Sequence, residues 1–274
     1  MKKVTLCLLI VTYCFKAFSQ VDTIYMNSEK IPCSVKEVTP EAIKFAYIGE
    51  DIINSVYKTT VQKIVFKSGR IQTFAELTSY KTVKSADDFD NVTLTQVESE
   101  IRGLFKLGDV SSKAKGATVL SSMVKVKERA TRKMKIEAAM MGANIVYLTQ
   151  NLTSGNQVGT KYQAGNSTET NLSGVAYSNH LPDYGELVKL IGDRKQFSTL
   201  ERYKLSGSYT DFEKDNFEKD MELVQLNNEN GLIMINAKIT GVDNTSFRII
   251  NFTKEQFIIM YKEGQKIYNY TIKL

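Results

Sequence analysis

The chain has few of the residues that carry metal, redox and acid–base chemistry. It contains one histidine, His180, and three cysteines, Cys7, Cys14 and Cys33, in 274 residues. A His/Cys zinc site needs three or four ligands. The sequence also lacks the Gly-x-Ser-x-Gly elbow of serine hydrolases and the Gly-x-x-x-x-Gly-Lys loop that cradles phosphate. We therefore predict no catalytic, cofactor-binding or metal site, and a protein that is not an enzyme.

The first nineteen residues have the layout of a secretory signal peptide. Lys2 and Lys3 precede a mostly apolar run from Val4 to Phe15, and small residues at Ala17 and Ser19 suit a signal peptidase. The run is shorter than the roughly 20 apolar residues of a membrane-spanning helix. We predict a signal peptide over 1–19, and an exported protein that is periplasmic or outer-membrane associated, with no transmembrane helix after cleavage. A lipoprotein signal is the alternative, but Cys14 follows Tyr13 instead of a small residue.

Loss of this leader would change the bulk properties of the chain. The leader carries Lys2, Lys3 and Lys16 and no acid, so 33 Lys and Arg would remain against 30 Asp and Glu. The resulting net charge of +3, in place of +6, is ordinary for this length and predicts no nucleic-acid partner. Cys33 alone would remain, so no internal disulfide could form. We interpret Cys33 as a small buried hydrophobic residue, with a reactive thiol as the alternative.

The rest of the sequence predicts an α+β, β-rich fold in three modules. Residues 20–80 form a small β module, because short runs of Ile, Val, Tyr and Phe alternate with turn signals. The predicted strands are Asp22–Met26, Ile31–Val38, Ala42–Ile48 and Ser55–Phe66, and Ser68-Gly69 predicts a hairpin. Charged residues 81–91 are interpreted as a linker.

Residues 92–180 are predicted to form a central β-α-β module. Val92–Ile101 has strand composition, and apolar residues recur at steps of three and four from Thr118 to Met141, which predicts one long helix ending at Gly142. We expect Leu120 and Met123 on the buried face of that helix. Strands beginning at Ile145 and at Leu172 would flank a long exposed polar loop, Asn151–Thr170.

Residues 181–274 predict a short helix, Glu186–Ile191, and then an antiparallel β meander. Six β-rich runs follow each other at a spacing near ten residues with short turns between them. The late aromatic residues, among them Phe247, Phe257 and Tyr270, are interpreted as core. Whether the meander closes into a barrel is left open by the sequence.

The predicted long helix is the best candidate interaction surface, together with the polar loop. A basic amphipathic helix can bind an anionic lipid or polymer surface. The alternative is a solvated outer face, which the absence of an aromatic anchor on the helix favours. The candidate residues are Lys125, Lys127, Arg129, Arg132 and Lys133.

An acidic segment, 211–222, has three possible interpretations. Clustered carboxylates suit calcium, but the glycine and terminal glutamate of an EF-hand loop are missing. A charged surface loop is the simplest interpretation. In the third interpretation this segment docks on the basic helix within the molecule.

Two stretches resemble known families. The run from Val61 to Ile71 resembles part of an N-terminal module common in exported Bacteroidota proteins. Residues Ile136 to Val146 are similar to the Ala-Ala-x-x-Gly-Ala-Asn-Ala-Val junction of small bacterial envelope domains, which include the YbjQ type and the outer-membrane stress-sensor lipoprotein of the Rcs pathway. The second resemblance implies a β-α-β fold and an envelope location, but no mechanism.

These observations together predict an exported envelope protein with a binding or interaction role. The partner would be an envelope protein or a lipid. The alternative function is a lipid or small-ligand carrier that uses the C-terminal β module, which would require an apolar cavity inside a closed sheet.

Overall fold

The computed structural model describes residues 21–26, 30–58, 61–74, 80–101, 103–155, 157–162, 164–207, 209–229 and 231–274. The predicted signal peptide, 1–19, lies outside the described residues. The chain forms two units, Met1–Ala75 and Glu76–Leu274. The prediction of a β-rich α+β fold, with one long central helix and a C-terminal antiparallel meander, is confirmed.

The first unit is a six-stranded antiparallel sheet in the order β4-β3-β2-β1-β5-β6. Its strands are β1 (Asp22–Met26), β2 (Lys30–Val38), β3 (Ala42–Tyr47), β4 (Asn54–Tyr57), β5 (Val61–Val65) and β6 (Ile71–Thr73). The single strand predicted over Ser55–Phe66 is therefore two strands. The hairpin predicted at Ser68-Gly69 is confirmed by the pairing of β5 with β6.

The core of this sheet encloses Cys33, which is confirmed as a buried residue beside Ile24, Ile43 and Phe45. Burial, followed by the charge of the Asp22 carboxylate, raises the pKa of the Cys33 thiol to about 11. Asp22 is itself buried and accepts hydrogen bonds from the backbone amides of Val35 and Lys67. Its carboxylate thus joins β1 to β2 and to the end of β5.

The second unit begins with a four-stranded sheet in the order β7-β9-β10-β8. Its strands are β7 (Thr93–Thr95), β8 (Phe105–Lys115), β9 (Ile145–Ser154) and β10 (Glu169–Ser178). Strand β7 runs parallel to β9, and the other pairs are antiparallel.

Three predictions for this region need correction. Strand β8 was not predicted, because Ser112 and Ala114 occupy buried positions where an apolar residue would have revealed the alternation. The strand predicted over Val92–Ile101 is only β7, followed by a 3-10 helix, Glu98–Ile101. The predicted loop Asn151–Thr170 is shorter, since β9 and β10 continue pairing as far as Ser154 and Glu169.

One long helix, α1 (Met123–Met140), packs on this sheet. Its predicted end is confirmed: Gly142 has φ +75°, and the amides of Gly142 and Ala143 donate to the carbonyls of Ala139 and Ala138. Its predicted start is wrong. Ser122 caps the helix by accepting a hydrogen bond from the Lys125 amide, so Leu120 precedes the helix. Leu120 and Met123 are both exposed instead of buried.

The meander closes into a barrel. The short helix α2 (Tyr184–Ile191) leads into the strands β11 (Gln196–Leu205), β12 (Glu213–Asn216), β13 (Asp220–Glu229), β14 (Leu232–Ile239), β15 (Ser246–Phe252), β16 (Gln256–Glu263) and β17 (Lys266–Lys273). Strands β13 to β17 pair in sequence. Strand β11 pairs with β13 through Gln196–Ser198 and with β17 through Ser198–Leu205, which completes a ring of six strands.

The barrel interior is filled by side chains. Phe247, Phe257 and Tyr270 are almost fully buried in a core with the isoleucines of the surrounding strands. This confirms the interpretation of the late aromatic residues as core.

Helix α1 lies between the sheet and the outer wall of the barrel, within one shared core. The barrel also supplies hydrogen-bond donors to the carbonyls at the C-terminal end of the helix. The Arg248 guanidinium donates to the Met141 carbonyl, and Asn269 Nδ2 donates to the Met140 carbonyl. Residues 81–91, expected to be a linker, include a 3-10 helix, Ala86–Asn91, that buries Phe89 in the same core.

Candidate functional site

A groove of about 790 Å³ runs along the outer face of α1, between the helix and the 3-10 helix Ala86–Asn91. We call it the α1 groove. Val126 and Phe89 contribute apolar surface to it. Four cationic side chains border it, and they are Lys125, Arg129, Arg132 and Lys135. Asp90 and Glu128 are the acids in its lining, so the groove carries an excess of positive charge.

Different contacts fix the positions of the cationic side chains in the groove. The Arg132 guanidinium lies 4.3 Å from the centre of the Phe89 ring, and Arg129 Nη2 donates to the Lys115 carbonyl at 3.0 Å. These contacts fix the positions of the Arg132 and Arg129 guanidinium groups. The planar set of N–H donors on a guanidinium suits bidentate recognition of a carboxylate. Lys135 Nζ lies 3.5 Å from the Asp90 carbonyl.

The structure brings together three of the five predicted residues: Lys125, Arg129 and Arg132 line the groove. Lys127 is exposed on α1 but is not part of the lining. Lys133 is buried, and its ammonium donates to the Gly207 carbonyl, so its assignment to an open surface needs correction. Burial lowers the pKa of Lys133, while the nearby Glu137 raises it.

Sequence reasoning left two contributors out of the site. Phe89 lies in the segment interpreted as a linker, and Lys135 lies on the predicted helix but is not among the candidate residues. One signal was available for Lys135: it follows Arg132 by three residues, which places both on neighbouring positions of one helix face.

The acidic segment docks on α1 at one point. Asp211 Oδ2 accepts a hydrogen bond from Arg132 Nη2 at 2.8 Å. Its neighbour Phe212 packs against the shared core, with its ring centre 5.4 Å from that of Tyr203. This supports the interpretation of segment 211–222 as a partner of the helix within the molecule. Asp215 and Glu213 instead pair with Arg202 and Lys204 of β11.

A larger cavity, about 970 Å³, lies where β8 and β10 face the turn between β16 and β17. Two of its charged groups pair with each other. Lys262 Nζ lies 2.9 Å from Glu137 Oε1, and the other oxygen of Glu137 accepts from the Ser111 amide. This pairing engages Lys262 and Glu137 within the molecule.

His180 and the acidic residues do not assemble a metal centre within the described ranges, where no group of three His, Cys, Asp or Glu side chains is placed to hold an ion. His180 is an exposed residue just after β10. In the same described ranges, no helix combines the length and the apolar character needed to cross a membrane.

Comparison of the chain with family models, with curated proteins and with solved structures found no match. The geometry of the α1 groove is therefore the basis for inferring a function.

Proposed function

We propose that this protein is an exported binding protein of the cell envelope, and that its α1 groove takes an acidic segment of a partner protein that also carries an aromatic or aliphatic side chain. One observation carries the proposal: the basic face of α1 already holds such a segment of its own chain. Asp211 pairs with Arg132, and Phe212 packs beside it against the shared core.

The neighbouring positions of the groove repeat that chemistry. Arg129 and Lys125 precede Arg132 along the helix at successive steps of three and four, beside the apolar surface of Phe89 and Val126. A carboxylate would meet a guanidinium fork there, and an apolar side chain would lie against the groove floor. The combination of an apolar contact with a few placed polar groups is typical of recognition sites.

The carrier alternative receives less support from the structure. Its cavity would lie inside the closed barrel, which is packed with Phe247, Phe257 and Tyr270. A groove on the outside of a rigid helix supports recognition of a partner segment instead.

The test is a titration of the full chain with a fluorescein-labelled peptide that alternates aspartate and phenylalanine, followed by anisotropy. The control peptide has asparagine at each aspartate. We expect the acidic peptide to bind more tightly, and Arg129→Gln to weaken it by up to about fivefold, since an exposed ion pair contributes at most about 1 kcal/mol.

Lys127→Gln is the matched control variant, because it removes an exposed α1 charge that does not line the groove. Its peptide affinity should equal that of the unaltered protein. Equal binding of the acidic and amide peptides, or equal losses in Arg129→Gln and Lys127→Gln, would overturn the proposal.

A further inference from the structure

A second surface lies beyond the N-terminal end of α1, where two segments meet. The Gly116 amide donates to the Thr168 carbonyl at 2.7 Å, and Thr168 Oγ1 donates to the Ser121 carbonyl at 3.1 Å. These bonds hold the approach to α1, residues 116–124, against the described part of the loop between β9 and β10, residues 155, 157–162 and 164–168. We call the two segments together the sheet-end surface.

The sheet-end surface exposes apolar side chains at its projecting points. Leu120 is 80% exposed and Val124 is 65% exposed at the start of α1. On the loop, Val158 is 72% exposed and Tyr162 is 92% exposed. Four large apolar side chains are thus exposed on two segments that hydrogen bonds hold together.

Positive charge surrounds these side chains. Residues 113–129 and 150–171 contain six basic residues and two acids: Lys113, Lys115, Lys125, Lys127, Arg129 and Lys161 against Glu128 and Glu169. Their net charge of +4 exceeds the +3 of the whole chain after residue 19. Glu169 is already neutralised by Lys113, whose Nζ lies 2.8 Å from its carboxylate.

We infer that the sheet-end surface docks on an anionic lipid bilayer, with Leu120, Val124 and Tyr162 entering the headgroup region. This goes beyond the proposed function, because it concerns a different surface, whose Ala117, Ser121 and Ser122 also line the near end of the α1 groove. Lysines attract anionic headgroups, and apolar side chains add affinity by burial. Tyr162 supplies the interfacial aromatic residue that α1 itself lacks.

A bilayer fits this shape better than a folded protein does. The exposed apolar residues stand on projecting turns, not in a concave pocket, and a fluid interface can close around separate projections. The basic residues surround them, as in peripheral anchors that combine insertion with electrostatic attraction.

The chain contains no tryptophan, so Tyr162→Trp introduces a single fluorescent reporter. We expect its emission to shift to shorter wavelength with vesicles of phosphatidylglycerol and phosphatidylcholine, and to stay unchanged with phosphatidylcholine alone. Val188→Trp, in the exposed face of α2, is the matched reporter and should not respond to either vesicle.

Sedimentation with the same vesicles measures how much the basic residues and the apolar side chains each contribute to vesicle binding. Lys127→Gln with Lys161→Gln should lower partitioning about 25-fold, at about fivefold per charge. Leu120→Ser with Tyr162→Ser should lower it at least about tenfold, because burial of such side chains is lost. Val188→Ser with Lys189→Gln, a similar pair on α2, should partition as the unaltered protein does.

Equal binding to both vesicle types, no response of Tyr162→Trp, or equal partitioning of the sheet-end and α2 variants would overturn this inference. Neither sheet-end variant removes a cation of the α1 groove. Their affinity for the acidic peptide should therefore be unchanged, which separates failure of the lipid surface from failure of the groove.

Discussion

Arg248, on the barrel strand β15, donates through Nη2 to the carbonyl of Met141 at 2.8 Å, directly after the last residue of α1. Its other terminal nitrogen donates to the Leu107 carbonyl at 2.8 Å. One buried guanidinium thus joins the barrel, the helix end and β8. Because burial lowers the pKa of Arg248 to about 10, this contact carries a desolvation cost that the two hydrogen bonds offset.

Arg248→Met should destabilise the second unit, because two buried carbonyls lose their donor. We expect a loss of about 2 kcal/mol in the free energy of unfolding, reduced by relief of the buried charge. Urea unfolding followed by circular dichroism measures it. Arg202→Met is the control: Arg202 pairs with Asp215 at a more exposed position and should cost under about 1 kcal/mol. A loss for Arg248→Met no larger than that of the control would contradict the role assigned to Arg248.

Gly142→Ala should destabilise the protein for two reasons. The left-handed conformation at φ +75° costs an alanine about 1–2 kcal/mol, and the new Cβ would lie 3.2 Å from Ile250 Cβ. Gly241→Ala is a matched control, with φ +80° and open space around its Cβ. Thermal unfolding should show the larger loss for Gly142→Ala. Equal losses would mean that the contact with the barrel adds nothing.

The Tyr203 hydroxyl predicts a dependence of stability on pH. It donates to Asp87 Oδ2 at 2.6 Å, and burial, followed by this bond, raises the pKa of Tyr203 from 10.0 to about 12. A raised pKa favours the protonated form in the folded state. The contribution of this hydrogen bond to the free energy of unfolding is therefore complete below pH 10 and is lost as the pH rises through about 12.

Tyr203→Phe should be less stable at neutral pH by about 1–2 kcal/mol, and the difference from the unaltered protein should shrink above pH 10. Urea midpoints across this range measure both quantities. Tyr162→Phe, at an exposed loop position, should leave the midpoints unchanged. A difference that stays constant with pH would contradict the assignment to Tyr203.

The Arg132–Asp211 pair predicts a charge-swap result. Arg132→Glu should destabilise the protein modestly, and the double variant with Asp211→Arg should recover up to about 1 kcal/mol of the coupling, as exposed ion pairs do. The coupling should fall with added salt. Lys127→Glu, made alone and with Asp211→Arg, is the control. Coupling of Lys127 to Asp211 as strong as that of Arg132 would show a general charge effect and no specific docking.

Much of the fold could be predicted because local and tertiary preferences agree. Leu232–Ile239 and Ser246–Phe252 are strands of the predicted meander, since their β-branched and aromatic residues also supply the barrel core. The end of α1 was predictable for a similar reason, because Gly142 provides the left-handed conformation that the helix end requires.

The misplaced elements are those where tertiary contacts prevail over pattern. Strand β8 buries Ser112, whose hydroxyl donates to the Ala130 carbonyl of α1, so a polar residue occupies a core position. At the start of α1, apolar spacing continues to Leu120, but Ser121 and Ser122 bond to local backbone and begin the helix later.

The candidate site was predictable as a basic helix face but not as a groove. Spacing placed Lys125, Arg129 and Arg132 together. It did not show that the barrel covers Lys133, or that Phe89 forms part of the groove, because both depend on contacts between residues far apart in the chain.

The most direct measurement is a ¹⁵N–¹H correlation spectrum of the protein titrated with the acidic aspartate–phenylalanine peptide. The proposed function predicts that amide shifts concentrate in residues 122–135 of α1 and at Phe89 and Asp90, and that they vanish with the asparagine peptide. Shifts confined to the barrel or to the first unit, or the same shifts with the asparagine peptide, would contradict the claim that the α1 groove is the binding site.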